Sequence, residues 1–261
     1  MTENNNFVNI LMGPKLGDLM HSLTVPAYYY KFLGIKTNFY LNEVYDKFST
    51  SLERTYEELF PILSKQPYIN SFEIYNPKIH TVIHEDLNAF RYNGLLYTRS
   101  FWAVFLHTAF HNNPTIPKNF VALNMPKSDT FKDCLLIHRK DGRFEWTDTI
   151  EKNYRSVLDK FDKKIFIDFE SKHYDQFVFK NECELFVEPN LEKFLEYING
   201  CKLLLTNASG PLCMATSMNS PRVGELGKFI TYHYKDDHLF FDNCEFFDLD
   251  GILTPYPKYL R

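Results

Sequence analysis

The chain has 261 residues, 44% of them hydrophobic, and a formal net charge of −4. That length holds one large or two small domains with a full core, and the lack of any long basic block argues against a dedicated nucleic-acid surface. The five cysteines, at 134, 183, 201, 213 and 244, are odd in number and form no CxxC pair, so neither a disulfide framework nor structural zinc is expected, and reduced thiols in a cytoplasmic protein are.

The opening MTENNNF lacks the charged and apolar regions of a signal peptide. No apolar run approaches the ~18–20 residues of a membrane span, although peripheral membrane contact stays compatible with the composition. A short strand is expected over 8–12, then a Gly-containing loop over 13–18 and a helix over 19–33. A strand follows at 37–41. Leu52, Tyr56, Leu59, Phe60 and Leu63 share one face of a helix over 51–65. Strands are expected at 71–75 and 81–84, and a helix at 101–110. Residues 112–130 carry Pro114, Pro117 and Pro126 and form the best linker candidate.

The pattern then restarts. Strands are expected at 134–138, 164–168, 184–187 and 202–206, with helices over 147–161, 173–179 and 191–198. Two successive β/α series imply two parallel-sheet sandwiches with a crevice between them, and ligands in such sheets bind at the carboxyl ends of strands.

Three stretches can carry chemistry. The sequence KLLLTNASGPLCMATSMNSPRVGEL (202–226) reads as a strand, a small-residue turn and a helix N-terminus, which is a ready anion site. Its plainer alternative is an ordinary βα turn with Ser209 as helix cap. Residues 13–23, GPKLGDLMHSL, place Asp18 and His21 at the start of a helix just past a strand. A carboxylate there is stabilised by the helix dipole and can take a proton from a substrate hydroxyl; as alternatives, Asp18 caps the helix and His21 is a surface residue. Residues 137–146, IHRKDGRFEW, gather Arg139, Lys140 and Arg143 between a strand and a helix. They suit a diphosphate leaving group or form a solvated basic turn, and Trp146 packs on a ligand or anchors the helix. Asp248-Leu249-Asp250 has a DxD form without a convincing strand-loop context, and His107 and His111 lack the Glu of HExxH. No metal site is expected.

Taken together these pieces resemble heptosyltransferase-like glycosyltransferases, the family related to ADP-heptose:LPS heptosyltransferases. Gly17-Asp18-Leu19-Met20-His21-Ser22-Leu23, with Pro26-Ala27 slightly late, resembles the family's opening GD and (L/V)xxSLPA. Residues 66–75, QPYINSFEIY, resemble its QPYIDEVIVY, and residues 206–211, TNASGP, its SNDSGPxHLA. The resemblance runs in order over roughly 8–227. It implies an α/β GT-B fold of two Rossmann-like parallel-sheet domains facing across a cleft, an acceptor-side domain over 1–125 and a donor domain over 126–261. It also implies a nucleotide-diphosphate sugar as donor, a glycan or other hydroxyl as acceptor, and no cofactor or required metal. By motif, Asp18 is the base of an inverting displacement, with Gly17 and His21 on the acceptor side. Arg139, Lys140, Arg143, Asn207, Ser209 and Gly210 bind the donor phosphates, and Glu225 the ribose or sugar hydroxyls. The chain departs from the pattern at Ala208, where relatives carry Asp, and at Cys213, where they carry His. Both positions face the donor sugar in the relatives, which puts an ADP-heptose donor in question, and the chain is shorter than typical members in the acceptor half, so acceptor identity does not transfer. The competing functions are a catalytically inactive nucleotide-sugar-binding protein and a sugar-nucleotide epimerase of the same fold.

Overall fold

The computed structural model describes residues 7–43, 51–92, 99–112, 114–140, 142, 144–227, 231–234 and 237–260. The first half builds a four-stranded parallel sheet, ordered β3-β2-β1-β4. Its strands are β1 (Phe7–Met12), β2 (Lys36–Leu41), β3 (Ile69–Ile74) and the two-residue β4 (Glu85–Asp86). Its helices are α1 (Leu16–Ser22), α2 (Thr24–Leu33), α3 (Leu52–Leu63) and α4 (Phe101–Phe110).

The single helix expected over 19–33 is two. Pro26 has no N–H to give the Ser22 carbonyl, and its ring crowds that carbonyl, so the ladder breaks at Leu23. Gly34 (φ 69°) ends α2 in the left-handed conformation, its N–H returned to the Tyr30 carbonyl. Ser51 caps α3 by accepting the Arg54 N–H. The strand expected over 81–84 is absent, because the Asn9 N–H donates to the His84 ring Nδ1 rather than to backbone. Pairing with β1 starts only at Glu85.

Residues 114–134 carry no helix or strand, yet Phe120, Ala122 and Leu123 are buried in the core. The second half is a seven-stranded sheet ordered β11-β10-β9-β8-β5-β6-β7. Its strands are β5 (Leu135–His138), β6 (Lys164–Asp168), β7 (Glu184–Val187), β8 (Leu203–Asn207), β9 (Arg222–Glu225), β10 (Cys244–Asp248) and β11 (Gly251–Ile252). All neighbours are parallel except the β10–β11 hairpin. The central β5 and β8 are buried along their whole length, as parallel strands covered on both faces must be. Its helices are α5 (Asp148–Leu158), α6 (Leu191–Gly200), α7 (Gly210–Met218), α8 (Thr231–Tyr234) and α9 (Asp237–Phe240). The helix expected over 173–179 is a run of turns: the Asp168 carboxylate accepts the Phe169 and His173 N–H groups, and Ser171 sits at φ 66°.

The two halves share a core. α1 lies on α7 and α3 on α6, and the Ser217 hydroxyl donates to the Met20 carbonyl at 2.6 Å. The chain then returns to the first half. The Phe101 ring sits between His21 (4.8 Å) and His233 (4.2 Å), the Tyr234 hydroxyl lies 3.1 Å from His21 Nε2, and Trp102 meets Phe241 edge-on. Burial, with the Arg222 charge and His233 adding to it, lowers the His21 pKa to about 3; burial also lowers His233 to about 4. Both rings are therefore neutral in the native state. The unfolded chain takes up protons first as pH falls, so stability is lost from about pH 6.5 downward. His21 alone should cost about 2 kcal/mol between pH 7 and pH 5. Urea unfolding at the two pH values measures this, and His21→Gln should flatten the dependence.

Candidate active site

Strand order in the second sheet runs outward from β5 through β6 to β7, then reverses at β8 on the other side of β5. Connections diverge there and leave a crevice at the carboxyl ends of the strands. A cavity of about 510 Å³ occupies it. Lys140, Asp168, Glu170, Lys172, Gly210 and Pro211 line it from the second half, and Leu16, Arg54 and Glu58 from the first.

The N-terminus of α7 opens on this cavity. Ser209 is the cap residue by position, but its hydroxyl donates to the Asn207 carbonyl and makes no cap bond. Pro211 has no N–H at all. The first turn is thus left without a side-chain cap, which is the state in which a helix start receives an anion. Asn207 braces the site. Its amide accepts the Lys140 N–H and donates to the Lys140 carbonyl, both at 3.0 Å, tying the ends of β8 and β5 together. The Lys140 side chain lines the cavity and has no partner among the described residues. Ala208 is buried, and its N–H donates to the Glu225 carbonyl.

Arg139 and Glu225 do not face the cavity. They form a two-pronged buried ion pair with both N···O distances 2.8 Å. Arg139 also donates to the Phe144 carbonyl, and the Tyr154 hydroxyl donates to Glu225. Trp146 lies 3.9 Å over the guanidinium, so it packs on Arg139. Their polar groups are turned to one another rather than to the cavity. Arg143 lies outside the described residues. Asp248 and Asp250 form the turn of the β10–β11 hairpin, where the Asp250 N–H donates to Asp248. Among the described residues no cluster of three or more His, Cys, Asp or Glu could hold a metal.

His138 and Asp168, at the ends of β5 and β6, are buried polar residues of the crevice, 3.8 Å apart. Burial lowers the His138 pKa to about 4 against the opposite pull of Asp168. Asp168 lies in no motif, and His138 lies in the stretch 137–146 without being one of its cations; the sequence signal of both is a polar residue closing an apolar strand.

Across the cleft, Asp18 is the third residue of α1 and only 7% exposed. Arg91 Nη2 donates to its Oδ2 at 2.5 Å, and Lys15 Nζ lies 3.6 Å from the same oxygen. A side chain at Gly17 would meet Cys213 Sγ at 3.2 Å. The absence of one lets α1 seat against the first turn of α7, bringing the first turn of α1, with Asp18, near the start of α7. His21, one turn along, is buried against Phe101 and Tyr234; of α1, Leu16 lines the cavity and neither Asp18 nor His21 does.

No family model and no curated protein matches the sequence. Solved structures do. The E. coli heptosyltransferase WaaC with ADP aligns at a TM-score of 0.58 and 10% identity over 95% of both chains. A glycosyl transferase family 9 protein from Veillonella parvula aligns at 0.58 and 13%, over 95% of this chain and 88% of that one. The E. coli ADP-heptose LPS heptosyltransferase II aligns at 0.57 and 13%, over 92% and 89%. The fold is that of the heptosyltransferases. The chain has the GT-B arrangement that the family resemblance implied. No helix among the described residues is long and apolar enough to cross a membrane.

The placement of Arg139 makes a structural prediction. Removing one partner of a buried ion pair strands the other charge and costs roughly 3–5 kcal/mol. Arg139→Ala should lose about that much in urea unfolding, whereas Lys140→Ala, at an exposed residue, should unfold like the parent.

Proposed function

We propose that this protein is a glycosyltransferase that moves a sugar from a nucleotide-diphosphate sugar to an acceptor hydroxyl, without a metal and with inversion. The observation that supports this reading is the contact of α1 with α7, which brings Asp18 in the first turn of α1 near the uncapped start of α7, at a cavity that Leu16 lines from α1 and Gly210 and Pro211 from α7. The heptosyltransferase-like fold supports it, with the first half taking the acceptor and the second the donor.

In the proposed reaction the Asp18 carboxylate removes the acceptor proton as the acceptor oxygen attacks the anomeric carbon from the face opposite the diphosphate. The bond from that carbon to the phosphate oxygen breaks, and the electron pair leaves with the diphosphate. The first-turn amides of α7 and the Lys140 ammonium stabilise that charge where it develops. Of the basic loop, Lys140 takes this role with α7, because Arg139 is paired with Glu225.

A second reading is a sugar-nucleotide-binding protein without turnover. Ala208 favours it, since the family's carboxylate at that position is missing.

Both readings require donor binding. A ligand at 100 times its dissociation constant stabilises the fold by about 2.7 kcal/mol. One member of a panel of ADP-, UDP-, GDP-, CDP- and dTDP-sugars should therefore raise the melting temperature by several degrees, and Lys140→Ala should weaken that shift. Turnover of the same donor separates the readings. Asp18→Ala should keep the thermal shift and lower turnover about 100- to 10,000-fold, the usual worth of a general base. A shift with no turnover in the parent protein supports the binding reading.

A further inference from the structure

We infer that Arg91 is the positioning residue of the Asp18 base: it holds one carboxylate oxygen so that the other faces the acceptor. This rests on Asp18 being the base. Both protein contacts of the carboxylate fall on Oδ2, from Arg91 at 2.5 Å and Lys15 at 3.6 Å. Oδ1 has no partner among the described residues, and it is not sealed from solvent. A carboxylate rotates about its last bond at little cost unless one oxygen is fixed. Here one oxygen is fixed, and the other is left to accept a proton.

Of the two cations, Arg91 is the one that can do this. Lys15 Nζ is beyond hydrogen-bond range, and its side chain is 53% exposed, so it contributes little more than a screened charge. The Arg91 guanidinium is planar, donates at hydrogen-bond distance and lies 4.7 Å over the buried ring of Phe90. Its own placement is also built. Arg91 belongs to a 3-10 turn, Leu87–Tyr92, that directly follows β4. The buried Asn88 in that turn accepts the Gly13 N–H at 2.8 Å and donates to Asp86 and Asn42. The turn is thereby pinned to the loop between β1 and α1, and α1 carries Asp18. Asp18 and Arg91 are 73 residues apart in sequence and are brought together by that clasp.

The test uses the full chain and, as donor, the sugar nucleotide that gives the largest thermal shift, with its turnover followed as nucleoside diphosphate release. Arg91→Ala should lower kcat roughly 100-fold, the scale of a misplaced reacting group, and leave the donor KM unchanged. Arg91→Lys should fall between the two. Millimolar guanidinium should restore part of the lost rate in Arg91→Ala and none in Asp18→Ala, which general loosening of the fold would not produce. Melting temperatures of Arg91→Ala, Asp18→Ala and the double variant check the pair without substrate, and the two losses should be non-additive. Full turnover in Arg91→Ala with turnover lost in Asp18→Ala overturns the positioning role and leaves the base in place. Full turnover in Asp18→Ala overturns both. A rate lost in Arg91→Ala that guanidinium does not restore, with additive melting losses, also overturns it.

Discussion

The close approach of α1 to α7 is the constraint on which the rest of this molecule depends. It joins the two halves at the point where each sheet presents the carboxyl ends of its strands. Gly17 permits it by having no side chain where Cys213 Sγ stands, and the Ser217 hydroxyl fixes it by donating to the Met20 carbonyl. Each helix starts at the cleft. Asp18 in the first turn of α1 and the uncapped amides of α7 are therefore set by the same contact. Around this seam, a mostly apolar interface admits His21, Ser217 and Arg222 only where each has a ring or a carbonyl to face. The returning segment with His233 and Tyr234 closes it from the other side. Because the seam holds two imidazoles kept neutral by burial, acid weakens the joint between the halves.

Much of the architecture is legible in the sequence because it rests on local rules. The apolar runs 134–138 and 202–206 are bounded by turn residues, and parallel strands buried on both faces look like that. Thr147 and Asn190 sit just before helices and cap them. Where local rules compete with tertiary partners, the reading shifts. The His84 ring replaces a backbone acceptor and shortens a strand. Asp168 spends its carboxylate on two backbone N–H groups and turns an expected helix into loops. β9 reads poorly as a strand because half of its four residues, Arg222 and Glu225, are charged, and both are fully buried. Their partners, Phe241 and Arg139, lie far along the chain.

The candidate site divides in the same way. Asp18, Lys140 and the 209–210 turn follow from strand-loop-helix context, which fixes position without a distant partner. Arg139 and Glu225 have the residue types of a phosphate and a sugar ligand, but residue type says nothing of burial. At 4% and 0% exposure they satisfy each other, and a diphosphate would have to break that pair to reach either. Arg91 carried no motif. Its relation to Asp18 passes through Asn88 and a turn after a two-residue strand, and nothing within a local window of sequence reports that geometry.

The electrostatics of the crevice follow from which of its charges are already spoken for. The chain is acidic overall, at −4, so its net field does not draw an anion in. Within the crevice, Arg54 pairs with Glu58 at 3.0 Å and Lys172 with Glu170 at 2.7 Å. These pairs are solvent-exposed, and such pairs are worth ~0–1 kcal/mol, so a strong anion can compete for their cations. The buried Arg139–Glu225 pair cannot be traded at that cost. Lys140 needs no exchange, because it meets no carboxylate among the described residues, and it lines the cavity together with the start of α7, which no side chain caps. A diphosphate entering the crevice therefore meets its least costly cation next to the α7 amides.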